Sequence, residues 1–83
     1  MNKYYLYILK CHDKTLYTGI TTDLNRRLKE HNFSDLGAKY TKSRRPVKLA
    51  FSKSFKNRSL ASKEEARIKK LSRVEKIKLI KLK

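Results

Sequence analysis

The sequence predicts an α+β fold, a three-stranded antiparallel sheet flanked by helices in the order β-β-α-loop-β-α-α. Two β-rich runs, residues 3–10 and 15–20, stand on either side of the short turn "CHDK" and read as a hairpin. A third run, "VKLAFSKSF" at 47–55, alternates apolar and polar residues. Residues 59–81 carry helical spacing and a capping-box signature.

In the first strand both alternating sets, Tyr5-Tyr7-Leu9 and Tyr4-Leu6-Ile8, are apolar or aromatic, so it should be central and covered on both faces. Asp13 is the natural turn residue. Gly19, near the end of the second strand, marks a bulge or a close backbone approach that a bulky ligand could use. Thr21, Thr22 and Asp23 are capping types, and Leu24 and Leu28 begin a helix running to about residue 31. Residues 32–46, with Gly37 and Pro46, read mainly as loop. The 47–55 strand is half-buried and belongs at a sheet edge. A helix follows from about 59 to 71, and Ser72-Arg73-Val74-Glu75 starts a last one ending near 81.

The 83 residues suit one domain spanning 1–83 with a small core. Lys and Arg number 23 against 7 acids, a net charge of +16. Residues 1–40 carry +3 and residues 41–83 carry +13. Such a field attracts polyanions, nucleic acid first. The single Cys11 excludes an internal disulfide and suits a reducing cytosol. The N-terminus is apolar for only six residues before Lys10, too short for a signal peptide or a membrane span. A cytoplasmic protein that avoids membranes is the expectation.

Chemistry concentrates in "LYTGITTDLNRRLKEH". On a helical wheel Arg26 points away from Leu24 and Leu28, whereas Arg27 and His31 lie beside that stripe, one turn apart. An inward guanidinium needs a partner, either a phosphate held in its fork or a carboxylate. Tyr7 and Tyr17, across the hairpin turn, can share one sheet face. In the loop, Lys42, Arg44 and Arg45 join Arg26 as the candidate backbone-phosphate contacts. Tyr40 or Phe33 can stack on an unpaired base.

The ordered series Tyr5-Leu6-Tyr7, Tyr17-Thr18-Gly19, Arg27 and His31 resembles the GIY-YIG nuclease domain, with "YLY" and "YTG" in place of the two name motifs. The resemblance extends from about residue 3 to 79 and is closest to short stand-alone bacterial members. It implies Mg²⁺- or Mn²⁺-dependent hydrolysis of phosphodiester bonds in DNA, with RNA as a second candidate polymer and DNA repair or recombination as the setting. By position, Arg27 would hold the phosphate and Glu65 the metal. Tyr17 would be the general base, its pKa lowered by nearby cations, with Tyr7 supporting it by hydrogen bonding and His31 orienting a tyrosine or sharing the proton transfer. The first motif has Tyr5 where its opening glycine is usual. Wheel geometry alone puts Glu64 at the centre of the stripe through Leu60, Ile68 and Leu71, and Glu65 at its margin. An alternative from another class stays open, a basic nucleic-acid-binding module with weak or no catalysis, as does a ribosome-associated basic protein.

Overall fold

The computed structural model describes residues 3–81. Strand β1 (Tyr4–Lys10) lies between β2 (Leu16–Thr21) and β3 (Lys48–Phe55), antiparallel to both, in the order β2-β1-β3. The two apolar faces of β1 explain its central place. Leu6 and Ile8 are sealed on one side, Tyr7 and Leu9 on the other. The β1–β2 turn is held by Asp13, whose carboxylate accepts from the Thr15 amide and hydroxyl at 3.1 and 2.6 Å. The irregularity expected at Gly19 lies elsewhere: the register shifts between β1 and β3, at Ile8/Leu9.

Helix α1 (Leu24–Phe33) starts where the Asp23 carboxylate accepts from the Arg26 amide at 3.0 Å. Through Leu24 and Leu28 it covers the face carrying Tyr7, Leu9, Cys11 and Val47. Cys11 is thus a small buried apolar side chain. The opposite face, Leu6 and Ile8, is covered by α3 (Arg58–Lys69) through Ile68 and by α4 (Arg73–Lys81) through Leu79 and Ile80. Between α3 and α4 the capping box forms in both directions. The Glu75 carboxylate accepts from the Ser72 amide at 2.9 Å, and Ser72 Oγ accepts from the Glu75 amide at 3.2 Å.

The segment read as loop holds a single helical turn, α2 (Lys39–Lys42). The sequence allows a short helical turn in this mainly loop-like segment without placing it, because four residues show no periodicity. Val47, read as the start of the third strand, precedes β3. Its backbone is instead held by the Asn32 side chain, which accepts from the Val47 amide at 2.7 Å and donates to its carbonyl at 3.0 Å. That pair of bonds ties the entry of β3 to α1.

Candidate active site

The site is built on the α1-covered face of the sheet, around a phenol. Tyr7 on β1 is opposite Gly19 on β2, and its ring lies across the glycine. A Cβ at position 19 would stand 2.5 Å from the Tyr7 hydroxyl oxygen and 2.7 Å from Cζ. The close approach expected there is therefore real, but its partner is the tyrosine ring of the neighbouring strand. Glycine is required so that Tyr7 can fold over the sheet.

The Tyr7 hydroxyl is 2.9 Å from His31 Nε2, and His31 Nδ1 is 2.9 Å from Thr41 Oγ1. Thr41 in turn donates to the Ala38 carbonyl at 2.9 Å. The Ala38 amide donates to the same Nδ1 at 3.4 Å, so the imidazole is held at both ring nitrogens. His31 and Thr41 are fully buried. This is what α2 contributes: it delivers one hydroxyl that fixes the imidazole.

Burial, with the Arg27 charge second, lowers the His31 pKa to about 4, so the ring is neutral at pH 7. The unfolded chain takes up that proton near the ordinary value of 6.5, at higher pH than the folded one. The stability this represents is fully present above 6.5 and is lost as pH falls toward 4. Urea midpoints are therefore expected to be level above pH 7 and to decline between 6.5 and 5, before the carboxylates titrate. A level midpoint across that window would contradict the neutral, buried assignment.

Tyr17 shares this face, its ring 6.5 Å from Tyr7 and 5.3 Å from His31. It also stacks with Tyr40 at 5.8 Å. Burial pushes the Tyr7 phenol up, and the neighbouring Arg27 only partly offsets this. A phenol lowered by surrounding cations is thus not what Tyr7 is in the free protein. Tyr17 and Glu65 add to the rise. Tyr7 therefore senses both the arginine and the glutamate singled out in the sequence.

Arg27 is three-quarters buried, and its Nη1 donates to Glu30 Oε1 at 2.8 Å and to the Leu36 carbonyl at 2.7 Å. The inward placement holds, and the carboxylate partner exists as well. Arg26 is outward, with Glu30 at 3.6 Å.

The two glutamates separate by direction rather than by depth. Glu64 was expected to be the more buried, yet the side chains are 21% and 23% exposed. The apolar stripe assumed for this helix included Leu60, which is 42% exposed; the buried line is Ala61–Ile68. Glu64 and Glu65 flank that line by roughly 50° on either side. Glu64 takes two bonds from Arg67, at 2.7 and 2.6 Å, and feels Lys53 of β3, which together hold its carboxyl below the ordinary range. Glu65 is the glutamate whose charge Tyr7 senses, and it pairs with Lys69 at 3.3 Å.

The basic loop is less available than its sequence suggests. Arg45 is bonded to the carbonyls of Glu30, His31 and Ser34 and so caps the C-terminus of α1. Those three bonds occupy its Nε and Nη2. Arg44 pairs with Asp13 at 3.0 Å, and its guanidinium lies 4.0 Å over the Tyr40 ring. Lys42 reaches Asp35 at 3.4 Å. Phe33 is 84% exposed. Sequence reasoning missed Thr41 and Glu30. Glu30 had a signal, its i+3 spacing from Arg27; Thr41 had none.

A two-motif hairpin presenting Tyr7 and Tyr17, an inward arginine on the next helix and a glutamate on a later one define a GIY-YIG domain. The GIY-YIG catalytic domain model matches residues 3–78, and the chain belongs to that family. It is 58% identical to a UPF0213 protein of Syntrophus aciditrophicus, over 98% of this chain and 93% of that one. The solution NMR structure of the UPF0213 protein BH0048 from Bacillus halodurans covers 98% of this chain and 85% of its own, with TM-score 0.64 and 44% identity. That of the protein EF2693 from E. faecalis covers 99% and 88%, with TM-score 0.65 and 41% identity. The α+β architecture is shared with both. No described helix is long and apolar enough to cross a membrane.

Proposed function

We propose that this chain hydrolyses phosphodiester bonds in DNA with the help of Mg²⁺ or Mn²⁺. The observation that supports this best is the convergence on one hydroxyl. Tyr7 is bonded to a neutral His31 and feels the charges of Arg27 and Glu65.

Among the described residues no three His, Cys, Asp or Glu side chains gather to hold an ion. The donor set at Glu65 suits a different arrangement. A single part-exposed carboxylate fits a hard dication that keeps several waters and shares the substrate phosphate. When bound there, such an ion would supply charge neutralisation at the leaving oxygen.

The chain's own residues do the rest. Arg27 holds the non-bridging phosphate oxygens, whose charge grows in the transition state. The Tyr7 oxygen takes a proton from the attacking water while its own proton passes along the existing bond to His31 Nε2. The step uses the tautomer in which Nδ1–H faces the Thr41 hydroxyl and Nε2 is the open position. Phosphate charge beside the ring favours the imidazolium that results.

In this reading the two tyrosines exchange the roles assigned from sequence. Tyr7 is the base because it is bonded to His31 and feels both Arg27 and Glu65, and Tyr17 walls the site. The test is a pair of conservative substitutions. Tyr7→Phe is expected to lower kcat about a hundredfold, and Tyr17→Phe less than about tenfold. Phe keeps the packing of both rings, and thermal melts run alongside separate lost chemistry from lost folding. A larger loss at Tyr17→Phe would return the base to Tyr17.

A further inference from the structure

The end of β2, the start of α1 and the start of α3 enclose a second basic feature. A cleft of ≈ 330 Å³ is lined there by Thr21, Thr22, Arg26, Arg27, Glu30 and Arg58. Glu30 is bonded to Arg27 at 2.8 Å and is 3.6 Å from Arg26. One carboxylate among three guanidiniums leaves a net positive cleft. Arg58 is the first residue of α3 and exposed. It has no ion pair with a carboxylate among the described residues. Position 58 is seven residues before Glu65, so both lie on one helix face about 10 Å apart along the axis.

Arg27 belongs both to this cleft and to the surroundings of Tyr7. A strand whose scissile phosphate rests on Arg27 has its neighbouring phosphate within a cleft of guanidiniums. We propose that this cleft is a second phosphate subsite, in which Arg58 and Arg26 hold the backbone phosphate next to the one being cleaved. The subsite rests on the reading of Arg27 as the ligand of the scissile phosphate. Glu30 orients Arg26 and Arg27 toward it from within α1. The site recognises backbone charge through its guanidiniums and threonine hydroxyls, with Tyr4 and Ile20 completing the lining.

The experiment is binding without catalysis. The affinity of the full chain for a short fluorescein-labelled DNA oligonucleotide is measured in EDTA across a salt series. Arg58→Ala is expected to weaken binding about fivefold at low salt and to reduce the slope of log K against log salt by about 1. Arg58→Lys, which keeps the charge, should retain the slope. Arg73→Ala, an exposed arginine of α4 outside the cleft, should weaken binding less than about twofold. An unchanged slope for Arg58→Ala, or equal losses for Arg58→Ala and Arg73→Ala, would overturn the subsite. EDTA prevents turnover, so these outcomes are read separately from cleavage. A chain that binds with the expected slopes yet never cuts DNA refutes the nuclease reading alone.

Discussion

Glu65→Gln is expected to abolish metal-dependent cleavage, by at least about a thousandfold, with the domain still folded. The size follows from the chemistry. The carboxylate is the one on α3 whose charge reaches Tyr7, and a dication at a scissile phosphate supplies several kcal/mol of transition-state stabilisation. Glutamine keeps the shape but loses the charge that holds a hard ion. Folding should survive because the ion pair of Glu65 is a part-exposed contact with Lys69 at 3.3 Å, of a kind contributing 0 to ~1 kcal/mol. Glu64→Gln has the opposite signature. It removes the two-bond pair with Arg67, lowers stability slightly and leaves the cleavage rate within about twofold. Cleavage rates and thermal melts of both variants check this. If Glu64→Gln silences the response to metal and Glu65→Gln does not, the ligand is the other glutamate.

Arg27→Ala is expected to cost about 10²- to 10³-fold in kcat, the usual loss when one donor to a developing oxyanion is removed. Binding should fall far less, because many exposed cations also hold the backbone. Arg27 has a structural share too, since it ties Glu30 to the Leu36 carbonyl. Truncation should therefore lower stability by about 1–3 kcal/mol, the cost of breaking such bonds. Arg27→Lys keeps the charge while losing the fork. It should recover binding fully and cleavage only in part. Arg26→Ala removes an outward side chain and should weaken binding mildly with kcat unchanged. Equal behaviour of Arg26→Ala and Arg27→Ala in both assays would refute the inward assignment.

What the sequence reveals of this molecule is governed by periodicity. The doubly apolar 3–10 run could only be a central strand, and β1 is central. The capping box at Ser72 and Glu75 formed as written, because it is a local device of four residues. The wheel put Arg27 and His31 inward, and both are there. What escaped was set by contacts distant in sequence. Thr41 matters only because α2 folds back onto α1, ten residues from its imidazole partner. Arg45 reads as one of a basic cluster, yet its guanidinium is bonded to two α1 carbonyls and that of the C-cap Ser34. The glutamates were misjudged through one residue: Leu60 reads as core, yet the buried line of α3 passes through Ala61. Gly19 announced a close approach without naming what approached. Only the pairing of Tyr7 with Gly19 across the hairpin supplies that.

The central claim, that the hydroxyl of Tyr7 together with Arg27 and Glu65 forms a metal-dependent phosphodiesterase, is tested most directly by a cleavage screen. Labelled single-stranded, duplex, flapped and branched DNA are incubated with the purified chain in Mn²⁺ or Mg²⁺ and, in parallel, in EDTA. The account predicts strand scission of at least one of these substrates with metal, none in EDTA and none with the Glu65→Gln variant. Scission that persists in EDTA or with Glu65→Gln, or wild-type chain that binds every substrate and cuts none in either metal, would contradict it.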